Sequence, residues 1–133
     1  MMTTLAPWMH NKKPMKQCGV PDAPRRNKRT ESALVNAAIR WLWHHGCYVW
    51  RQNTGAYKPE GSNRYIQYGT PGCADIIGVT QAGVFIAVEC KSAKGKLTDH
   101  QLRFRDRVLE KNGIYICAKS LDDLDARKGE LCN

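Results

Sequence analysis

The chain has 133 residues, 42% of them hydrophobic and 25% charged, values that describe one ordinary globular domain and exclude collagen-like and low-complexity classes. Its net charge of +9 is high for this length and points to a polyanionic partner, of which nucleic acid is the commonest. The charge is uneven, because residues 1–29 carry Lys12, Lys13, Lys16, Arg25, Arg26, Lys28 and Arg29 against the single acid Asp22.

The six cysteines (Cys18, Cys47, Cys73, Cys90, Cys117, Cys132) form no Cys-x-x-Cys pair, which argues against zinc, and three of them lie in apolar runs where a reduced thiol acts as a small hydrophobe. With no signal peptide and no apolar run of membrane-spanning length, the expected location is the reducing cytoplasm, away from membranes.

In chain order, residues 1–29 hold Pro7, Pro14, Pro21 and Pro24 among polar and basic residues with no surviving periodicity, and are expected to be a flexible basic arm. Residues 30–133 form the folded domain. Thr30 is placed to cap a helix from Glu31 to about His45, stopped by Gly46. At 100° per residue Leu34, Val35, Ala38, Leu42 and His45 share one stripe, and Glu31 falls in its middle, an odd place for a carboxylate unless it only complements the helix dipole. Cys47 to Arg51 reads as a strand. Residues 53–70 read as a long polar loop or loose hairpin that mixes Tyr57, Tyr65 and Tyr68 with Lys58 and Arg64, a composition suited to phosphate contact and stacking.

Two apolar strands follow, 74–80 and 84–91, turning at Gly83. A turn with Lys94 and Lys96 leads to a helix from Thr98 to about Asn112. Thr98 and Gln101 are spaced for a capping box, and Gly113 is placed to close the helix at C′. Ile114 to Ala118 is a last buried strand, Ser120 caps a short acidic helix through about Leu124, and the end is expected to fray. The order αβββαβα, with a helix joining two strands that should be parallel, predicts an α/β fold: a mixed sheet of about four strands flanked by helices.

The most informative stretch runs from Asp75 to Lys91. Charges at the ends of two apolar strands need compensation, and two facing carboxylates repel unless a divalent cation lies between them. A lysine two residues after Glu89 points to the same face of the strand. Asp75 and Glu89 are therefore the candidate metal ligands, with the main-chain carbonyl of Cys90 as a third oxygen. Lys91 is the candidate cation for a scissile phosphate, and Glu31 could hold a metal-bound water or a second ion. Such a site suits Mg²⁺-assisted hydrolysis of a phosphodiester. None of the four histidines, His10, His44, His45 and His100, has a partner at metal-ligand spacing.

These residues together resemble the PD-(D/E)xK nuclease superfamily, and more closely its VRR-NUC branch. The resemblance is carried by Glu31, by Arg51-Gln52-Asn53-Thr54-Gly55, by Gly69-Thr70-Pro71-Gly72-Cys73-Ala74-Asp75, by Glu89-Cys90-Lys91 and by Lys94-Gly95-Lys96-Leu97-Thr98-Asp99-His100-Gln101. It spans residues 30 to about 124. Ala74 stands where the family usually has proline. The resemblance implies a restriction-endonuclease-like core and Mg²⁺-dependent (or Mn²⁺-dependent) cleavage of DNA. Asp75 and Glu89 match the metal ligands, Lys91 the catalytic lysine, Glu31 the first-helix acid and Gln101 an active-site glutamine. Gln101 thus has two readings, completing a capping box or facing the metal pocket, and one amide is not expected to serve both fully.

Small members without attached domains resemble those of phages and prophages. That class implies a homodimer cutting branched DNA such as Holliday junctions in a bacterial or phage-infected cell. A monomeric nicking or flap nuclease and a non-catalytic DNA-binding protein are the alternatives. Arg51, Lys58, Arg64, Lys94 and Lys96 are the candidate DNA contacts.

Overall fold

The computed structural model describes residues 31–132. The basic arm and the Thr30 cap lie outside the described residues. Helix α1 (Glu31–His44) forms where the apolar stripe lies: Leu34, Val35, Ala38 and Leu42 are buried. Strand β1 (Tyr48–Arg51) leads to a short hairpin of β2 (Gly55–Tyr57) and β3 (Ile66–Tyr68), which pair only with each other. Strands β4 (Ile76–Val79) and β5 (Phe85–Cys90), helix α2 (Asp99–Glu110), strand β6 (Ile114–Ala118) and the short helices α3 (Leu121–Asp125) and α4 (Lys128–Leu131) complete the order.

The main sheet has four strands in the order β1-β4-β5-β6. The first two neighbour pairs are antiparallel, while β5 and β6 run parallel across the α2 crossover, as the sequence predicted. Alternation along β5 sends Ile86, Val88 and Cys90 to the face covered by α1, α3 and α4, in a core with Leu42, Val49, Ile76, Ile116, Leu124 and Leu131. Ala87 goes to the opposite face, where α2 packs through Val108 and Phe104 against Tyr115 and Ile77. The result is a mixed α/β fold with helices on both faces of the sheet.

Three local expectations are corrected. The chain end does not fray: α4 buries Leu131 completely, and the Cys47 thiol points at the Leu131 carbonyl at 3.9 Å. The left-handed residue closing α2 is Asn112 (φ 60), one position before the glycine expected there. Asn112 and Gly113 donate to the carbonyls of Leu109 and Val108 at 3.1 and 2.9 Å, a Schellman closure with Asn at C′. Of the two readings of residues 53–70, the hairpin holds, with β2 and β3 paired antiparallel. Finally, Glu31 is exposed although it lies on the apolar stripe, and its carboxylate accepts the Ser92 N–H at 3.1 Å.

The tryptophans sort by position. Trp43 donates its indole N–H to the Val49 carbonyl at 2.8 Å, Trp41 stacks on His45 with ring centroids 3.7 Å apart, and Trp50 is exposed on the edge strand.

Candidate active site

The site lies where β4 begins and β5 ends. Antiparallel register pairs Ile76 with Val88, and one further step sets Asp75 opposite Glu89 on the face that α2 covers. The ladder is finished by side chain rather than main chain: Asp75 Oδ2 accepts the Cys90 N–H at 3.0 Å. On the other side, the Asp75 carbonyl accepts the Gln52 N–H at 2.7 Å, which ties the acid to the end of β1.

Glu89 is 3% exposed, a rare condition for a carboxylate. Its Oε1 accepts from the Gln101 amide at 2.8 Å and lies 3.4 Å from Lys91 Nζ. Its Oε2 is buried with no hydrogen-bond partner. Burial first, and then the Asp75 carboxylate, push Glu89 up to about 7, against the downward pull of Lys91. The pair is therefore short of positive charge, and one buried oxygen makes no hydrogen bond within the described residues.

Gln101 resolves its two sequence readings by serving both. Its Oε1 accepts the Thr98 N–H at 2.9 Å, its own N–H reaches Thr98 Oγ1 at 3.3 Å, and its amide nitrogen donates to Glu89. The expectation that one amide could not satisfy both ends is corrected, because cap and pocket use different atoms of the same group. The N-terminus of α2 is in turn set by Gly72 (φ +74). A Cβ there would lie 2.2 Å from the His100 carbonyl oxygen, so only glycine lets this loop close on the helix.

Glu31 is near but does not join the acids. It reaches from α1, on the other face of the sheet, and its Oε1 accepts the Ser92 N–H at 3.1 Å. Among the described residues no three His, Cys, Asp or Glu side chains converge on one metal-sized point. Glu31 thus anchors the chain immediately after Lys91. The turn that follows is held by Lys119, whose ammonium donates to the Ala93 carbonyl at 2.9 Å, and it presents Lys94 and Lys96 to solvent. Arg51 is exposed and touches Ser32 Oγ at 3.3 Å, while Lys58 and Arg64 are exposed on the hairpin segment. Among the histidines, His44 and His100 are exposed, His45 is half-buried, and His10 lies outside the described residues.

Tyr115 was not singled out from sequence. It lies on the α2 face of β6, 5% exposed, with a buried hydroxyl that has no hydrogen-bond partner. Burial and then the nearby Glu89 charge push its pKa upward. Strand alternation sets it on the Glu89 face only once the parallel register of Ala87 with Tyr115 is known, and that register is not written in the sequence.

Two opposed carboxylates, one with a buried unpartnered oxygen, fit a hard divalent cation. The Cys90 thiol does not fit that role, being buried in the core on the opposite face with its pKa pushed upward. The donors that would hold the ion are Asp75, Glu89 and the Cys90 carbonyl. No family model matches the chain, and no curated protein matches it.

Proposed function

We propose that the chain is a metal-dependent DNA endonuclease with a restriction-endonuclease-like core, of the VRR-NUC type its motifs resemble, cutting branched DNA as a homodimer. The observation that carries this reading is the state of Glu89: buried, opposite a second carboxylate, one oxygen held by Gln101 and beside Lys91, the other without a partner. A structural ion pair has no use for the second oxygen. A ligand for Mg²⁺ or Mn²⁺ does.

When bound, the cation supplies an activated water and a Lewis acid for the phosphate. The protein's own contribution is positional. Gln101 fixes the rotation of the Glu89 carboxylate, and the Cys90 N–H fixes that of Asp75. Lys91, only 14% exposed through its side chain, keeps a cation beside the acids, where negative charge grows on the phosphate during cleavage. Glu31 holds Ser92 and so the exit of the strand that carries Glu89 and Lys91.

One domain with one such site cuts one strand, so paired cuts across a junction call for a two-fold dimer. No helix of the described residues is long and apolar enough to cross a membrane.

The test is cleavage of a four-way junction, a flap and a linear duplex with Mg²⁺, with Mn²⁺ and with chelator. The expected result is Mg²⁺-dependent cutting of the junction, abolished in Asp75→Ala with DNA binding retained. Full activity in that variant sinks the site, and a preference for the flap moves the reading to a monomeric nicking enzyme. Light scattering should give a dimer mass. A monomer at micromolar concentration that still makes paired junction cuts removes the dimer.

A further inference from the structure

The β2–β3 hairpin is a second surface that needs an occupant. Register pairs Tyr57 with Ile66 and Gly55 with Tyr68, which puts Tyr57, Ile66 and Tyr68 on one face of the ribbon. Those three are 53%, 45% and 49% exposed, and neighbouring Tyr65 is 70% exposed. Isolated exposed apolar residues need no explanation, but three on one face of a three-residue ribbon make a patch. The rings of Tyr57 and Tyr68 lie 6.5 Å apart at 49°, so neither covers the other's face.

Tyr68 is set by its cross-strand partner. A Cβ on Gly55 would come within 2.6 Å of the Tyr68 hydroxyl oxygen and 2.8 Å of Cζ, so the ring lies across a backbone that only glycine leaves open. At the foot of the ribbon is a cavity of about 350 Å³ lined by Thr54, Gly55, Ala56, Gln67, Tyr68 and Pro71. That volume is in the range of small-molecule sites. Tyr68 is the aromatic residue of the lining, and Thr54 and Gln67 are its polar residues. The cavity wall includes Gly69 and Pro71, on the segment that runs on to Asp75.

Charge selects the occupant. Lys58 and Arg64 are exposed on the segment between Tyr57 and Tyr65, Arg51 is exposed at the end of β1, and Glu60 is the single acid between residues 51 and 74. An apolar peptide would not require this basic frame. A polyanion with accessible flat rings would.

We infer that the β2–β3 hairpin is a stacking platform for unpaired nucleotides of DNA, with one extruded base seated in the cavity at its foot. This rests on the nuclease reading above and narrows its substrate: strands that splay or leave bases unpaired near the cut. Fully stacked duplex offers no base face to Tyr57 or Tyr68.

The experiment measures binding of the full chain, in chelator so that no strand is cut, to a junction and a gapped duplex carrying 2-aminopurine at the branch or gap. Linear duplex of the same length is the reference. Wild type should quench the probe on the branched and gapped DNAs. Tyr68→Ala and Tyr57→Ala should lose the quench and bind those DNAs about tenfold more weakly, in line with the usual worth of one stacked base, with linear-duplex affinity unchanged.

Tyr68→Phe, which keeps the ring, should restore both signals, and a thermal melt of each variant checks that it is folded. Unchanged quench and affinity in both alanine variants overturns the proposal, as does equal loss on linear duplex. Should Tyr68→Ala not fold, the decision falls to Tyr57→Ala, 53% exposed on the same face. The two readings fail separately. A wild type that cuts nothing while the variants still lose branch preference removes the nuclease and leaves the platform; a wild type that cuts junctions while the variants keep their preference does the reverse.

Discussion

Glu89 concentrates the chemistry of this protein in one side chain. Its pKa is raised by burial and by Asp75 to about 7, above the ordinary carboxylate value. A raised carboxylate favours the protonated folded state, so its contribution to stability is present below about pH 4.5 and is lost as pH climbs through about 7. In chelator, wild type should therefore lose on the order of 2 kcal/mol between pH 5 and pH 8. Glu89→Gln should flatten that slope, and Mg²⁺ should raise the melting temperature of wild type at pH 8 but not that of the variant. Thermal melts across pH, with and without the ion, read all three; an identical pH slope in wild type and Glu89→Gln removes the assignment. Lys91 is the neighbouring case. Lys91→Ala takes away the cation beside the acids and should slow cleavage by roughly 10²- to 10³-fold while DNA affinity changes little, as expected for a group that acts on developing charge. Single-turnover kinetics with protein in excess separate the two effects.

Among the elements, the start of α2 governs the geometry. Its capping box was readable from Thr98 and Gln101, because the spacing alone creates both hydrogen bonds. What spacing could not convey is that the spare N–H₂ of the same amide reaches β5, since that depends on how helix and sheet dock. Gly72 is part of that docking. Gly72→Ala would push a methyl into the His100 carbonyl from a left-handed backbone, and should destabilise the fold by about 2 kcal/mol or more and depress cleavage further than stability alone explains. Thr98→Ala removes the cap acceptor and should cost about 1 kcal/mol. Urea titrations at fixed pH measure both. Glu31 illustrates the opposite limit of the sequence. Its position on the apolar stripe was legible, but periodicity cannot say which stripe positions the neighbouring elements cover, and this acid meets a backbone N–H at Ser92 and solvent. The strands of the main sheet were legible because their apolar runs are continuous. The hairpin strands were only half legible, because three-residue strands of Gly-Ala-Tyr and Ile-Gln-Tyr carry too little alternation to declare themselves.

At the scale of the whole molecule, charge is divided between arm and domain. Residues 1–29 hold a net +6 of the total of +9, so DNA affinity should fall steeply with salt. Replacing Arg25, Arg26, Lys28 and Arg29 by glutamine should reduce the slope of log K against log salt by up to about 3–4 on duplex DNA. The preference for branched over linear DNA should stay as it is, since that preference is assigned to the hairpin. Fluorescence anisotropy at several salt concentrations checks this, and an unchanged slope would mean that the arm does not touch phosphates.

The double duty of the Gln101 amide carries a last consequence. One side chain begins a helix and also steadies the acid, so a molecule whose second helix has come undone also loses the grip on Glu89. On the nuclease reading proposed above, a copy with this helix unmade would not hold its acid in place for cutting.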